Sequence, residues 1–278
     1  CSMTLVSRLS TLLIVLLLVG CSQEKVQVIE GPIYGTTYSV QFTEDIDKGM
    51  VKKLIKTELD RIDMVFSTYK TDSEISQFNN CTSKGGDWTL HCYVNNSEEF
   101  RALRIKARNI KSISMGAFDP EPEKEIYDFS AIGKGYAVDK IAELLMKNDI
   151  YNYFIDIGGE ISINGTKYGE AWTWGINDPF SSHSRPYIAF EAPESGISVA
   201  TSGEYRNPGH IWGEGPKDAA SVTVIDVYAV DADAWATAMY VLGIEEGLEI
   251  AEKEGLAVFF IKNDGKSVNS SEWSKIYP

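Results

Sequence analysis

Histidine, cysteine and basic residues are scarce in this sequence. Its 278 residues include three histidines and four cysteines, without a Cys-x-x-Cys pair or a His/Cys cluster of the kind that binds zinc. Lysine and arginine number 26 against 40 aspartate and glutamate residues, which gives a formal net charge of −14. Because nucleic-acid binding needs a basic face, we expect no nucleic-acid partner. A Gly-x-Ser-x-Gly sequence is also missing, which argues against a serine hydrolase with a nucleophile elbow.

The pattern of apolar residues predicts a single α/β (α+β) domain in which helices pack on a mixed β-sheet. A hydrophobic fraction of 44% is sufficient for a sizeable core, and no linker-like stretch divides residues 26–278. A hairpin is expected around Gly35, and strands are expected to dominate between 160 and 228. The predicted helices lie at 48–66, 97–114, 232–242 and 244–253, with a further helix directly after Gly135.

Residues 1–20 have the pattern of an export signal. The apolar run Leu12 to Val19 is too short to span a bilayer comfortably and too long for an ordinary loop. It ends in Leu18-Val19-Gly20-Cys21, which resembles a bacterial lipobox. We therefore expect cleavage before Cys21, acylation of its thiol, and residues 21–25 as a short tether to the cell membrane on the periplasmic, extracytoplasmic side. A plain signal peptide or an N-terminal anchor is the alternative.

Cys81 and Cys92 are the two cysteines left after Cys1 in the signal and Cys21 at the lipid site. In an oxidising compartment an even pair separated by a glycine-containing segment is compatible with a disulfide. Spacing does not supply the geometry that a bridge needs, so two free buried thiols are the alternative.

A phosphate site is one interpretation of the stretch around Lys134. Gly133 and Gly135 flank this lysine immediately before an amphipathic helix. Glycines allow the backbone to approach a ligand closely, and the amides at a helix N-terminus favour anions. The alternative is an ordinary connection between a strand and a helix, since such connections often contain glycine.

Asp233 and Thr237 are four residues apart, so on a helix their side chains point the same way. A carboxylate and a hydroxyl are hard oxygen ligands of the kind that Mg²⁺ accepts together with waters and substrate phosphates. Spacing alone favours a simpler alternative, in which Asp231 or Asp233 caps the helix and Thr237 bonds to its own backbone. His210 lies in a loop rich in Pro and Gly, where it is either a base near neutral pH or a solvent-exposed loop residue.

Seven segments, considered together, resemble the ApbE-type FAD:protein FMN transferases, a family of bacterial flavin transferase lipoproteins. In chain order they are Gly35-Thr36-Thr37-Tyr38, Ser67-Thr68-Tyr69 with Asp72-Ser73-Glu74, Gly116-Ala117-Phe118-Asp119, Asp128 to Asp139, Asp156-Ile157-Gly158-Gly159-Glu160, Ala200-Thr201-Ser202-Gly203-Glu204-Tyr205 and Ala232-Asp233-Ala234-Trp235-Ala236-Thr237. Their shared order is much more specific than any single segment. The resemblance covers nearly the whole mature chain and implies an ApbE/T-fold-like domain.

The resemblance implies a Mg²⁺-dependent transferase that binds FAD as substrate, moves the FMN half to a threonine hydroxyl of an acceptor protein and releases AMP. Acceptors in the family are subunits of Rnf- and Nqr-type redox complexes. The implied metal ligands are Asp233, Thr237 and the backbone carbonyl of Ala131. The implied FAD contacts are Tyr34, Tyr69, Ala117, Phe118, Asp119, Asp128 and Lys134. The implied catalytic residues are Asp233 and His210, with His210 as base or acceptor-positioning group.

The sequence departs from the family pattern in two places. Between Asp119 and Asp128 the family usually has a long insertion that helps to wall the flavin site, whereas here only residues 120–127 remain. After His210 the family reads roughly His-x-x-Asp-Pro-x-Thr-Gly, whereas this chain continues with Trp212-Gly213-Glu214-Gly215-Pro216. These departures leave two alternatives open: a lipid-anchored flavin-binding protein without transfer activity, or an FAD pyrophosphatase that gives FMN and AMP.

Overall fold

The structure is a computed structural model that describes residues 25–83, 91–92, 96–124, 126–183 and 185–278. The expected export signal at 1–20 and the expected lipid site Cys21 lie outside the described residues. Within the described part of the chain, no helix combines the length and the apolar composition needed to cross a membrane.

Twelve strands are found among the described residues. They are β1 (Gln27–Ile33), β2 (Thr36–Phe42), β3 (Tyr153–Ile157), β4 (Glu160–Asn164), β5 (Thr166–Lys167), β6 (Glu170–Ala171), β7 (Thr173–Asn177), β8 (Pro186–Glu191), β9 (Ile197–Ser202), β10 (Ala219–Asp226), β11 (Ala257–Lys262) and β12 (Ser267–Asn269). Eight of them form one sheet in the order β1-β2-β3-β4-β9-β10-β11-β12. The strands β5 and β6 pair with each other in a second sheet, and β7 and β8 pair in a third.

Six helices accompany the strands in the described segments. They are α1 (Lys48–Phe66), α2 (Glu74–Thr82), α3 (Glu98–Ile113), α4 (Gly133–Met146), α5 (Ala229–Glu254) and α6 (Ser271–Ile276). The spacing that predicted α1 is confirmed, since its apolar positions Val51, Ile55, Leu59 and Ile62 are all buried. The predicted α/β class, with helices packed on a sheet in one domain, is also confirmed.

The expected mixture of parallel and antiparallel pairs is wrong for the described strands, because every pair is antiparallel. The connection from β10 to β11 shows the physical reason. The two predicted helices at 232–242 and 244–253 are both found within α5, which is divided at Gly243 by a φ of 75° and a ψ of −173°. Ala257, at the start of β11, pairs with Ile225 near the end of β10, so the chain re-enters the sheet at the same end at which it left. A single straight helix would instead bring the next strand in parallel.

Two hydrophobic cores lie on opposite faces of the large sheet. Along β11 the side chains alternate, so that Val258 and Phe260 belong to the main core and Phe259 and Ile261 to the second. The main core is formed with α1 to α5. The second core contains Trp174 of β7 and residues of α6. One face of the sheet therefore carries the long helices and the other carries the β7–β8 hairpin.

The first hairpin has the turn that its sequence predicts. Tyr34 and Gly35 have φ values of 49° and 74°, and two positive φ angles are characteristic of the tight turns that match strand twist. The structure also joins Cys81 at the end of α2 to Cys92, with a Cα–Cα distance of 5.8 Å that suits a disulfide.

Candidate functional site

A large cavity of about 1270 Å³ opens between the main sheet, the α4–α5 helix pair and several loops. Eleven residues singled out in the sequence line it. They are Tyr34, Tyr69, Ala117, Phe118, Asp119, Asp128, Ala131, Lys134, His210, Asp233 and Thr237. They come from segments that are up to about 200 positions apart, so the fold brings together what the sequence motifs separate. We call Lys134, Gly135, Glu160, Asp233 and Thr237 the inner end of the cavity.

Asp233 lies at the inner end, where its carboxylate is only 4% exposed. Its Oδ2 accepts a hydrogen bond of 2.9 Å from the backbone N–H of Gly135 at the start of α4. Burial raises the pKa of Asp233 above its ordinary value, and the nearby Lys134 ammonium and the Gly135 N–H offset only part of this increase. The carboxylate is thus oriented by a helix N-terminus, where a negative charge is favoured.

Gly135 has a different role from the one that the sequence suggested. Helix α4 begins at Gly133, so both glycines and Lys134 lie within its first turn, not in a loop before it. A Cβ atom on Gly135 would lie 2.2 Å from the carbonyl oxygen of Ala229 and 2.8 Å from Cβ of Asp233. Gly135 is therefore required by the close contact between α4 and α5. Gly133, by contrast, has open space around it.

The start of α5 is capped from a neighbouring helix. Asp139 of α4 accepts hydrogen bonds from the N–H groups of Ala229 and Val230 at 2.8 and 2.9 Å. Burial raises the pKa of Asp139 to about 7, although both N–H donors act to lower it. The alternative in which Asp231 or Asp233 caps this helix is wrong, because Asp233 instead accepts from Gly135 and Asp231 pairs with Lys106 at 2.6 Å.

Thr237 follows Asp233 by one helical turn and lines the same cavity. Its Oγ1 lies 3.3 Å from Oγ of Ser202 on β9, so the partner found for this hydroxyl among the described residues is a side chain of the sheet and not its own backbone. Ala131 lies in the turn that precedes α4. The described residues hold no group of three or more His, Cys, Asp and Glu side chains placed for a metal. A cation here would therefore depend on mixed oxygen donors, and a carboxylate, a hydroxyl and a carbonyl fit Mg²⁺ better than a soft metal.

Lys134 points into the cavity but is already paired. Its Nζ lies 2.5 Å from Oε1 of Glu160, the first residue of β4. Burial lowers the pKa of Lys134, but the carboxylates of Glu160 and Asp233 more than offset this effect and raise it. Burial raises the pKa of Glu160 to about 8, and the Lys134 ammonium offsets only part of this increase. The pair places an ammonium group next to the Asp233 carboxylate.

Negative charge predominates in the cavity lining. Its carboxylates are Asp63, Asp119, Asp128, Asp156, Glu160 and Asp233, and its cations are Lys70, Lys134 and Arg206. Lys70 is bound to Asp63 at 2.6 Å, whereas Arg206 forms no ion pair with any described residue and lies over the Tyr205 ring. A ligand with two phosphates would need additional positive charge in such a site.

The exposed rim of the cavity consists of Tyr69 and the loops that carry Asp119, Asp128, His210 and Trp212. Tyr69 is 96% exposed, so its ring is available to a ligand. Tyr34, between the rim and α1, is half-buried and donates its hydroxyl hydrogen to the carbonyl of Leu59 at 3.0 Å. The ring of Phe118 is buried in the main core, which limits its role at the cavity to one edge.

The short connector between Asp119 and Asp128 is held from two sides. The side-chain amide of Asn79 donates to the carbonyl of Tyr127 and its Oδ1 accepts from the Tyr127 N–H, both at 2.8 Å. The indole N–H of Trp212 donates to the carbonyl of Asp119 at 3.0 Å. The two segments that depart from the family pattern therefore contact each other, and Trp212 forms part of the cavity wall beside the short connector.

His210 is exposed at the rim, with its Nδ1 2.5 Å from the carbonyl oxygen of Asn207. A carbonyl only accepts hydrogen bonds, so Nδ1 carries the hydrogen and Nε2 of the neutral ring has a free lone pair. This arrangement suits a base that receives a proton from a group in the cavity.

Among the charged and aromatic residues of the cavity, sequence reasoning gave no role to Asp156, Glu160 and Trp212, and it noted Arg206 only as a cation near His210. Asp156 and Glu160 belong to a motif quoted for the resemblance, but no role was given to either. Arg206 directly follows another such motif. Trp212 was noted only as a departure from the family pattern, and its bond to Asp119 depends on tertiary structure.

Comparison with known proteins adds relatives over nearly the full chain. A FAD:protein FMN transferase from Escherichia coli K12 is 27% identical over 329 aligned positions, which cover 94% of this chain and 93% of the relative. One from Vibrio cholerae is 30% identical over 312 positions, covering 88% and 90%. An alignment of 329 positions exceeds the 278 residues of this chain, so the first relative has segments that this chain lacks.

A solved structure has the same fold. The flavin transferase ApbE from Vibrio cholerae superposes with a TM-score of 0.77 at 26% sequence identity, covering 91% of this chain and 99% of that one. A family model described as the ApbE family matches residues 34–127 and 122–260, and its two parts meet at the short connector. Because these matches span most of the sequence, the chain belongs to the ApbE family.

Proposed function

We propose that this protein transfers FMN from FAD to a hydroxyl of an acceptor protein and that it uses Mg²⁺ in doing so. The observation that carries the proposal is the convergence of eleven motif residues on one cavity in a member of the ApbE family. Relatives that align over about nine-tenths of the chain are named FAD:protein FMN transferase. The acceptor group that we propose is a threonine hydroxyl.

The proposed reaction exchanges the phosphoanhydride bond of FAD for a phosphoester bond to the acceptor. The acceptor oxygen forms a bond to the phosphorus of the FMN half, and the bond from that phosphorus to the bridging oxygen of the pyrophosphate breaks. AMP leaves with the bridging oxygen and its electron pair. The hydroxyl proton passes to Nε2 of His210, which the Asn207 carbonyl keeps free by holding Nδ1–H. The transfer needs positioning and charge neutralisation and no redox step.

Positive charge around the pyrophosphate is the main requirement of this site, because carboxylates outnumber cations in the cavity lining. Asp233, Thr237 and the Ala131 carbonyl would hold Mg²⁺ there, and the bound ion would neutralise and polarise the phosphates. Lys134 adds a fixed ammonium at the inner end. Arg206 forms no ion pair among the described residues, although its charge acts to lower the pKa of Asp156, and we propose that it contacts the departing AMP phosphate.

We also propose that the protein works outside the cytoplasm as a lipid-anchored enzyme. The proposal is supported by the apolar run that ends at Cys21. Mass measurement of the protein from membranes would test it, and an unmodified Cys21 in the membrane-bound form would contradict it.

The function is tested by incubating the purified chain with FAD, MgCl₂ and the extracytoplasmic subunit of an Nqr-type redox complex. We expect flavin fluorescence that stays with the acceptor in a denaturing gel and one AMP released per labelled acceptor. The control acceptor has its flavinylated threonine changed to alanine, and we expect no label on it.

Two other results would point elsewhere. AMP and FMN that form at the same rate without any acceptor would indicate an FAD pyrophosphatase, with water in place of the threonine hydroxyl. The second result is tight FAD binding without AMP release, measured with acceptors that a relative labels under the same conditions. It would indicate a flavin-binding protein that has lost transfer activity.

A further inference from the structure

Glu160 is a buried carboxylate of the cavity with no part in the reaction described above. It is the first residue of β4, directly after the Gly158–Gly159 turn, and it pairs with Ile157 of β3. Its side chain is only 3% exposed and lines the cavity. A carboxylate so deeply buried needs a physical reason, because moving a charge out of water is costly.

The two oxygens of Glu160 have different surroundings. Oε1 lies 2.5 Å from Nζ of Lys134. Oε2 is buried and has no hydrogen-bond partner in good geometry among the described residues, and the backbone N–H of Glu160 itself is the smallest of the influences on the pKa of this carboxyl. Buried polar atoms in native proteins nearly always have a partner, and in the ionised form that pairs with the Lys134 ammonium a carboxylate oxygen can only accept. The described part of the chain therefore supplies no donor to Oε2, so the donor has to come from a bound molecule.

The chemistry around Oε2 restricts what that donor is. The other carboxylates that act on Lys134 are Asp233 and Asp156, and in their ionised form they accept and do not donate. The oxygens of an ionised phosphate also only accept, and their charge would repel Glu160. A hydroxyl or an N–H group of a ligand meets the requirement.

The position of Glu160 narrows the choice further. Lys134 contacts Glu160, and the charge of Asp233 acts on it as well, so both carboxylates lie near one ammonium group. Under the proposed function, the pyrophosphate of FAD lies beside Asp233. The groups that flank a pyrophosphate in FAD are the ribityl chain and the adenosine ribose, and the donors on both are hydroxyls.

We propose that Oε2 of Glu160 accepts a hydrogen bond from a sugar or polyol hydroxyl next to the pyrophosphate of bound FAD, while Oε1 holds Lys134. This inference rests on the proposed function, because that function places the pyrophosphate at the inner end. Glu160 is then a substrate-contacting residue that selects for a hydroxylated chain. A ligand without the hydroxyl binds more weakly, because it leaves Oε2 without a donor.

The first experiment measures, by titration calorimetry in the presence of MgCl₂, the affinity of the protein for two probes. The probes are FAD and inorganic pyrophosphate. Pyrophosphate has the charge but no hydroxyl. Glu160→Gln keeps the shape of the side chain and replaces one acceptor oxygen by an amide donor. We expect FAD affinity to fall roughly ten- to hundredfold and pyrophosphate affinity not to fall. Glu44→Gln is the control, because Glu44 accepts from the Tyr151 and Asn152 N–H groups outside the cavity, and it leaves both affinities unchanged.

A second measurement needs no variant and so does not depend on the folding of one. It compares FAD with two analogues on the wild-type protein, one built on 2′,3′-dideoxyadenosine and one with a plain pentyl chain in place of ribityl. One of the two analogues should bind roughly tenfold or more weakly than FAD, and Glu160→Gln should bind that analogue and FAD with similar affinity.

The outcomes separate the inference from the function on which it rests. If E160Q weakens FAD and pyrophosphate equally, Glu160 acts only by placing Lys134, and the inference is overturned. It is also overturned if both analogues bind the wild type as tightly as FAD does. In either case the transferase assay with the wild type still stands. Absence of any FAD binding by the wild type overturns the function and the inference together.

Discussion

The inner end of the cavity and its exposed rim are held in place by different means. At the inner end, Asp233 is fixed by the Gly135 N–H and Glu160 by Lys134, and both carboxylates are almost fully buried. At the rim, Tyr69 is 96% exposed, and among the described residues one hydrogen bond, from the Trp212 indole to the Asp119 carbonyl, joins the loop of His210 and Trp212 to the start of the short connector. Helix packing therefore determines the inner end, and a few loop hydrogen bonds determine the rim. Changes at the inner end should be severe, and changes at the rim should be graded.

The largest effect is expected at Asp233. In Asp233→Asn the amide still accepts from Gly135, but the negative charge that would bind Mg²⁺ is lost. We expect FMN transfer to fall about a thousandfold, since a catalytic metal supplies several kcal/mol of charge stabilisation. The measurement is AMP release at saturating FAD and MgCl₂.

Asp231→Asn is the matched control on the same helix. Asp231 pairs with Lys106 at 2.6 Å and does not line the cavity. It should retain activity within about threefold, as expected for a partly exposed ion pair. If D231N and D233N lost equal amounts of activity, the effect of D233N would not be specific to the inner end of the cavity.

The two glycines of α4 give the next largest contrast. Gly135→Ala places a methyl group 2.2 Å from the Ala229 carbonyl oxygen, so α4 and α5 must separate. We expect a loss of about 3 kcal/mol in the free energy of unfolding, measured with urea.

Gly133→Ala adds the same methyl group where nothing lies within 4 Å. It should change the free energy of unfolding by less than about 1 kcal/mol, and an increase is expected because alanine favours a helix. A loss in G133A as large as in G135A would refute the steric explanation.

The buried carboxyl of Asp139 should make the stability of the folded protein depend on pH. Its pKa in the folded protein is raised to about 7, above the ordinary value, so the folded state binds the proton more tightly. Its contribution is complete below the unfolded pKa and is lost as pH rises through about 7. We expect the wild type to lose on the order of 1 to 3 kcal/mol from this group between pH 5 and 8.

Asp139→Asn should reduce this loss, because the amide does not titrate. Asp264→Asn is the control, since this exposed carboxyl has a lowered pKa and does not titrate in that range. Thermal unfolding of the three proteins at pH 5, 6, 7 and 8 provides the comparison. The same pH dependence in D139N as in the wild type would remove Asp139 as its source.

The smallest effect is expected at Trp212. Trp212→Phe keeps a ring in the cavity wall but loses the hydrogen bond to the Asp119 carbonyl. A single hydrogen bond of about 1 kcal/mol corresponds to roughly fivefold weaker FAD binding, and we expect faster hydrogen exchange in residues 119–124.

Trp172→Phe is the matched control, because the buried indole N–H of Trp172 has no hydrogen-bond partner in the described part of the chain and lies outside the cavity lining. FAD affinity should not change in this variant. A hundredfold loss in W212F would show that the rim is as strictly determined as the inner end.

Local patterns in the sequence predicted the elements but not the way in which they meet. The apolar period of α1 and the turn at Tyr34–Gly35 depend on neighbouring residues, and both are found as expected. The separate helical patterns before and after Gly243 predicted the break in α5, but they do not show at which end of the sheet the chain re-enters, and that end sets the strand direction. The expectation of a mixed sheet failed for that reason.

The candidate site shows the same division. Motif order was sufficient to nominate eleven residues that line one cavity. The reason for Gly135 was missed, because it lies in the contact with Ala229 and Asp233, far along the chain. The bond from Trp212 to Asp119 likewise joins residues 93 positions apart. The helix-capping alternative for Asp233 was wrong because Asp139, on another helix, already caps α5.

The bond between Gly135 and Asp233 also bears on the order in which the molecule assembles. It joins residues 98 positions apart, whereas the β1–β2 and β3–β4 hairpins pair neighbours in the chain. Contacts between distant residues form later than local ones, because a long loop must first close. A chain truncated before α5 would have both hairpins and most of the rim but not the carboxylate that orients the inner end. Competence to bind the proposed Mg²⁺ together with FAD would therefore arise only after α5 has been made and has packed on α4.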